Sequence, residues 1–144
     1  MSKSKLSKYT QYVKEFGFDD VNSFLVSGKS TQGLLVLEKS KALLFRIYPA
    51  LKNFPQAEKH ALNAEIKRSF YALISNLNSA SSVPSLRKNY GQEADGHLQT
   101  IKVMMELAHR QKYIGNGFYL QIDQELTEIN LLLSGFIRTS NRRR

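Results

Sequence analysis

The sequence predicts an all-α fold: an antiparallel up-down four-helix bundle, with an N-terminal extension able to add short helices. Three observations carry this. From Leu34 onward, apolar residues return every three or four positions instead of alternating. They do so in four blocks, separated by clusters of Pro, Gly, Ser and Asn. At 144 residues and 42% hydrophobic content, the chain suffices for one core and is too short for two. Helices of this length on short connections pack antiparallel at a shallow angle and share their core. The bundle is expected over residues 32–144 and the extension over 1–31.

The first block, Gln32 to Lys52, places Leu34, Leu37, Leu44, Ile47, Tyr48 and Leu51 on adjoining faces. Pro49 falls late in it, where its missing N–H should kink the last turn. Asn53 and Pro55 then punctuate the chain. The second block is amphipathic, with Leu62, Ile66, Phe70, Leu73 and Leu77 in register and Lys59, Glu65, Lys67 and Arg68 largely elsewhere on the wheel. "NSASSVPS", Asn78 to Ser85, is a run of turn formers and reads as a loop. The third block aligns Ala94, Leu98, Ile101, Met105 and Ala108, with Met104 and Met105 as core filling. "YIGNGF" should close it through a left-handed glycine cap. The fourth helix is expected from near Phe118, with the stripe Phe118, Ile122, Leu126, Ile129, Leu133 and Phe136 or Ile137 opposed by Asp123, Glu125 and Glu128. The extension is aromatic-rich, contains Gly17 and Gly28, and has room for one or two short helices.

Composition narrows the function. With no cysteine, disulfides and thiolate metal sites are excluded. No apolar run approaches the ~20 residues that cross a bilayer, and "MSKSKLSKYTQY" lacks a signal core, so the cytoplasm is the expected compartment, with no membrane partner. Lys and Arg number 21 against 12 Asp and Glu, a formal charge of +9. Such an excess attracts polyanions and speeds their encounter, which makes nucleic acid the first partner to consider.

No catalytic, cofactor or metal constellation emerges. "SGKST" sets Gly28, Lys29 and Ser30 after Phe24-Leu25-Val26, but the earlier glycine of a phosphate loop is replaced by Ser23. It reads as a loop before a helix. Glu106 and His109 have the spacing used by di-metal bundles, which require a second such pair; the chain has none. His60 and His97 have no catalytic partner at a readable spacing. Tyr90, Tyr113 and Tyr119 fall near helix ends, where a ring packs and its hydroxyl stays wet. The remaining signal is basic. Arg138, Arg142, Arg143 and Arg144 gather at the end of the fourth helix, Lys67 and Arg68 lie on the second, and Lys102 on the third, beside Arg110 and Lys112. The helix dipole accounts for Arg138, but not for three more arginines beyond it. The planar guanidinium fork matches phosphate, and these seven are the candidate nucleic-acid contacts.

Longer stretches carry a resemblance. "FRIYPALKNFPQAEKHALNAEIKRSFYALISNLNSA", with Tyr48-Pro49, Phe54-Pro55 and "AEKHAL", resembles two related kinds of four-helix protein. One is encoded by intervening sequences in bacterial large-subunit ribosomal RNA genes. The other is the accessory variability determinant family of diversity-generating retroelements. "LRKNYGQEADGHLQTIKVMMELAH" is similar to the third helix of the second kind through Ala94-Asp95, Leu98 and Lys102. "QELTEINLLLSGFIRTSNRRR" is similar to its last helix through Glu128, Gly135-Phe136-Ile137 and the basic end. "NSASS" stands where the first kind carries an acidic residue and glycine, and Phe136 where the second carries tryptophan. The likeness spans residues 32–144. It implies a homopentameric, barrel-like ring that binds RNA or DNA and the reverse transcriptase of the same element, with no cofactor or catalytic activity of its own. A protein-interaction bundle whose charge only aids solubility is the contrasting expectation.

Overall fold

The structure, a computed structural model, describes residues 31–142, leaving aside the side chains of Thr31 and of residues 140–142. The extension, the loop Ser27 to Ser30, Arg143 and Arg144 fall outside the described residues. Four α-helices follow in order: α1 (Thr31–Ala50), α2 (Leu62–Ser82), α3 (Arg87–Arg110) and α4 (Asn116–Arg142), with no strand among the described residues. Each packs on the next, and α4 returns against α1, so the four enclose one core. This is the expected up-down four-helix bundle. Ile47, Ile66, Phe70, Leu73, Leu98, Ile101, Ile122 and Leu133 are fully buried at its centre. Burying such a side chain contributes about 1.5–3 kcal/mol, set against the conformational entropy of ordering the chain.

The third- and fourth-block stripes are buried as expected, with Phe118 at the edge of the core. Pro49 sits in the last turn of α1, and the backbone tightens into a 3-10 turn at Leu51–Asn53. Gly91 lets α3 approach α4 closely, since a Cβ there would meet Cγ1 of Ile137 at 2.8 Å.

Four details differ from the sequence reading. The expected loop at Asn78 is helical: α2 continues to Ser82 because Leu77 and Ala80 extend its buried stripe, and packing overrides the weak propensity of Asn and Ser. The turn waits for Val83, and Pro84 opens a 3-10 turn, where its missing N–H costs nothing. α4 begins at Asn116, two residues before Phe118. Tyr48 is 44% exposed and lies off the core face. The left-handed cap of α3 is Lys112, at φ 64°, and not a glycine. Lys112 N–H bonds the His109 carbonyl at 3.0 Å and Tyr113 N–H bonds that of Ala108 at 2.9 Å, the paired bonds of a Schellman cap.

Arg87 is the buried cation that the sequence did not announce. It is 8% exposed, its Nε donates to the Ala80 carbonyl at 3.0 Å, and its guanidinium stands 5.4 Å from the centre of the Phe136 ring. A cation on a terminal carbonyl of α2 meets the negative end of that helix dipole. It also ties the α2–α3 turn to the far end of α4.

Two substitutions should move stability in opposite directions. Arg87→Ala leaves a buried carbonyl unpaired and removes the ring contact, so chemical denaturation should show a loss of about 2–3 kcal/mol. Lys112→Gly relieves a left-handed L-residue and should raise stability by about 0.5–1 kcal/mol in the same measurement.

Candidate nucleic-acid interface

Some basic side chains are committed to holding the bundle together. Lys39 pairs with Glu128 at 2.8 Å and Arg46 with Glu125, both across α1 and α4; Arg46 also donates to Gln121 at 2.8 Å. The acidic face expected to oppose the α4 stripe is thus partly an interhelical seam. Burial pushes the Glu125 carboxyl above its usual range, against the pull of Arg46 and Lys39. Burial likewise raises Glu38, against Lys41 at 3.2 Å. Arg68 pairs with Glu65 at 3.0 Å and Arg110 with Glu106 at 3.9 Å, both exposed pairs within one helix and worth at most about 1 kcal/mol.

The candidate contacts of the sequence reading do not converge. Lys67 sits in the α1–α2 seam with its Nζ 4.6 Å from the centre of the Tyr48 ring, and Arg68 faces solvent one residue on. Lys102 shares a flank of α3 with Gln99 and His109, which bond Asn130 and Asn116 of α4, so it lies on the opposite seam. Arg138 is exposed one turn before the end of α4, about 33 Å along the helix from Asn116. The backbone of Arg142 ends α4; Arg143 and Arg144 lie outside the described residues.

The fold does gather another set. The α1–α2 and α3–α4 connections meet at one pole: the Tyr113 hydroxyl donates to Glu58 at 3.0 Å, and its ring lies 5.2 Å from that of Phe54. That hydrogen bond to a carboxylate, with burial adding to it, raises the Tyr113 hydroxyl above its ordinary range. Exposed Lys52, Lys59 and Lys112 stand on these connections and make no ion pair among the described residues. The pole adjoins a larger asymmetry. Residues 39–92, which hold most of α1 and all of α2, contain nine Lys and Arg against Glu58 and Glu65 alone; residues 93–142 contain five against six carboxylates. By sequence the first stretch is the basic half of the bundle and the second its near-neutral half, although Lys39 and Arg46 of the first are paired with Glu128 and Glu125 of the second.

The Glu106–His109 pair and Tyr119 have structural partners. His109 stacks on Tyr119 at 4.2 Å and contacts Asn116 at 2.6 Å, while Glu106 is taken by Arg110. Burial is the first cause raising the Tyr119 hydroxyl. Among the described residues, no group of His, Cys, Asp and Glu is placed to hold a metal ion, and no helix is long and apolar enough to cross a membrane.

Sequence reading missed Lys52 and Lys59 because it followed runs of arginine. The signal was a gap: no Asp or Glu occurs from Lys39 to Ala57 or from Ile66 to Gln92. That those two stretches lie side by side is a tertiary fact, carried by the Lys67–Tyr48 contact and by the Asn63 amide donating to the Leu51 carbonyl at 3.0 Å.

Comparison with known proteins fits this architecture. None of the curated proteins matches the chain. A solved structure, that of a protein of unknown function from the S23 ribosomal protein family from Bacteroides thetaiotaomicron, is 26% identical, with a TM-score of 0.66 over 74% of this chain and 98% of that one. The family model described as bAvd-like matches residues 34–140, the whole bundle apart from its ends. With four helices in that order and a match over most of its length, the chain belongs to the bAvd-like family, the bacterial accessory variability determinants.

Proposed function

We propose that this protein is a non-enzymatic accessory protein of a diversity-generating retroelement, which binds template RNA or cDNA together with the element's reverse transcriptase and supports mutagenic retrohoming as a homopentameric ring. The observation that carries the nucleic-acid part is the charge balance of residues 39–92, nine Lys and Arg against Glu58 and Glu65 alone, with no Asp or Glu from Lys39 to Ala57 or from Ile66 to Gln92. Lys and Arg on phosphates give affinity without sequence information, through release of counterions. A ring repeats the same surface and converts weak contacts into avid ones. In this reading Lys67 and Arg68 add phosphate contacts on this basic half, and Lys102, Arg138 and the terminal Arg142, Arg143 and Arg144 add others outside it. Its role is to scaffold rather than to catalyse.

The near-neutral half suits protein partners. Val103 on α3 and Leu120 and Leu131 on α4 are each about two-thirds exposed, and large apolar side chains in water favour a protein surface over a phosphate. Sister subunits and the reverse transcriptase belong there in this reading.

Filter binding of RNA between about 50 and 200 mM salt tests the electrostatic part. Affinity should fall steeply with salt, and deletion of Arg142 to Arg144 should weaken binding and flatten the slope while the bundle stays folded. A protein that ignores RNA, and captures its reverse transcriptase equally well without the tail, would be a protein-interaction bundle instead.

A further inference from the structure

The α1–α2 seam holds exposed aromatic rings where charge alone has no need of them. Phe45 is 66% exposed, Tyr48 44% and Tyr71 53%. They form one patch: Lys67 covers part of Tyr48 from α2, Tyr71 follows Lys67 by one turn on the same flank, and Phe45 precedes Tyr48 by one turn on α1. The antiparallel register set by Asn63 on Leu51 and by Lys67 on Tyr48 brings Tyr71 level with Phe45. Phe45 and Tyr48 are separated by about 4.5 Å along the helix axis.

We infer that this patch binds single-stranded nucleic acid by stacking unpaired bases on Phe45, Tyr48 and Tyr71, while Lys67 and the neighbouring Lys52 take the phosphates. The inference rests on the nucleic-acid reading above and narrows it to the strand type. In a duplex the base faces are stacked on one another and unavailable to a side chain, whereas a single strand offers a π-face at every base. Charge complementarity selects a polyanion over an apolar partner: the carboxylates closest in sequence are Glu38, which is buried against Lys41, Glu58, which accepts from the Tyr113 hydroxyl, and Glu65, which is paired with Arg68. Lysine beside open rings on a surface without free carboxylates is the arrangement that binds single strands with little preference for sequence.

The test compares oligouridine with a duplex of equal charge at one salt concentration, using the full-length protein. Phe45→Ala, Tyr48→Ala and Tyr71→Ala should each weaken single-strand binding about fivefold or more and leave duplex binding within about twofold. These side chains are exposed, so melting temperatures should hold. The chain has no tryptophan, so Tyr71→Trp adds a single tryptophan, excited apart from the remaining tyrosines, whose emission stacking should quench with oligouridine and not with heparin. Equal losses on both nucleic acids, or equal quenching by heparin, would overturn the inference and leave the electrostatic reading standing. A changed assembly mass at unchanged affinity would also overturn it, by assigning the patch to contact between copies of the chain. If the unaltered protein retains no polyanion at low salt, the underlying reading fails first.

Discussion

The constraint on which the rest depends is that four apolar stripes of unequal length must meet in one core. Each helix spends roughly a third of its circumference on that contact, which decides where every charged side chain can go. α4 has the cleanest stripe, from Ile122 to Phe136, and its flanks are fixed once the stripe is buried. Glu125 and Glu128 are thereby turned toward α1, where Arg46 and Lys39 meet them. Glu125 and Glu128 thus join two helices from the rim of the core.

That seam is not inexpensive. Glu125 keeps one carboxylate oxygen buried without a hydrogen bond, and burial raises the carboxyls of Glu125 and Glu38. A raised carboxyl pKa means that ionisation opposes folding: the contribution is full below the unfolded value of 4.5 and is lost as pH rises through the folded one. These groups favour register over stability. The pairing of Glu125 with Arg46 joins α1 to α4, whereas Glu38 pairs with Lys41 within α1, and the α1–α2 side carries Lys67 over the Tyr48 ring.

The core was the most legible part of the sequence, because a 3.6-residue period survives local irregularity. Ala94 to Ala108 and Ile122 to Leu133 could be read from spacing alone. The turns were less legible. Asn78 to Ser82 has loop composition, yet Leu77 and Ala80 keep the period, and the period prevails when a neighbouring helix is there to receive it. The cap of α3 misled for the opposite reason: two glycines were available nearby, but the helix ends at Arg110, and Lys112, three residues before the first of them, takes the left-handed conformation. For the candidate interface, arginine runs drew attention to the chain end, whereas the fold leaves Lys52, Lys59 and Lys112 exposed on the connections at one pole. Adjacency of Lys52, Lys59 and Lys112 depends on Tyr113 reaching Glu58 and Phe54 across two connections, and no local pattern encodes that.

The basic half owes its character to omission more than to accumulation. It has no arginine-rich helix, only lysines and arginines spread over a stretch in which Glu58 and Glu65 are the sole carboxylates. A surface built this way tolerates drift unevenly. Losing one lysine removes one contact among several, whereas one new aspartate in the middle of α1 or α2 both cancels a charge and repels a phosphate directly. Over time such a surface should exchange lysine for arginine, glutamine or serine with little consequence, while resisting acidic residues beyond the Glu58 and Glu65 it already holds.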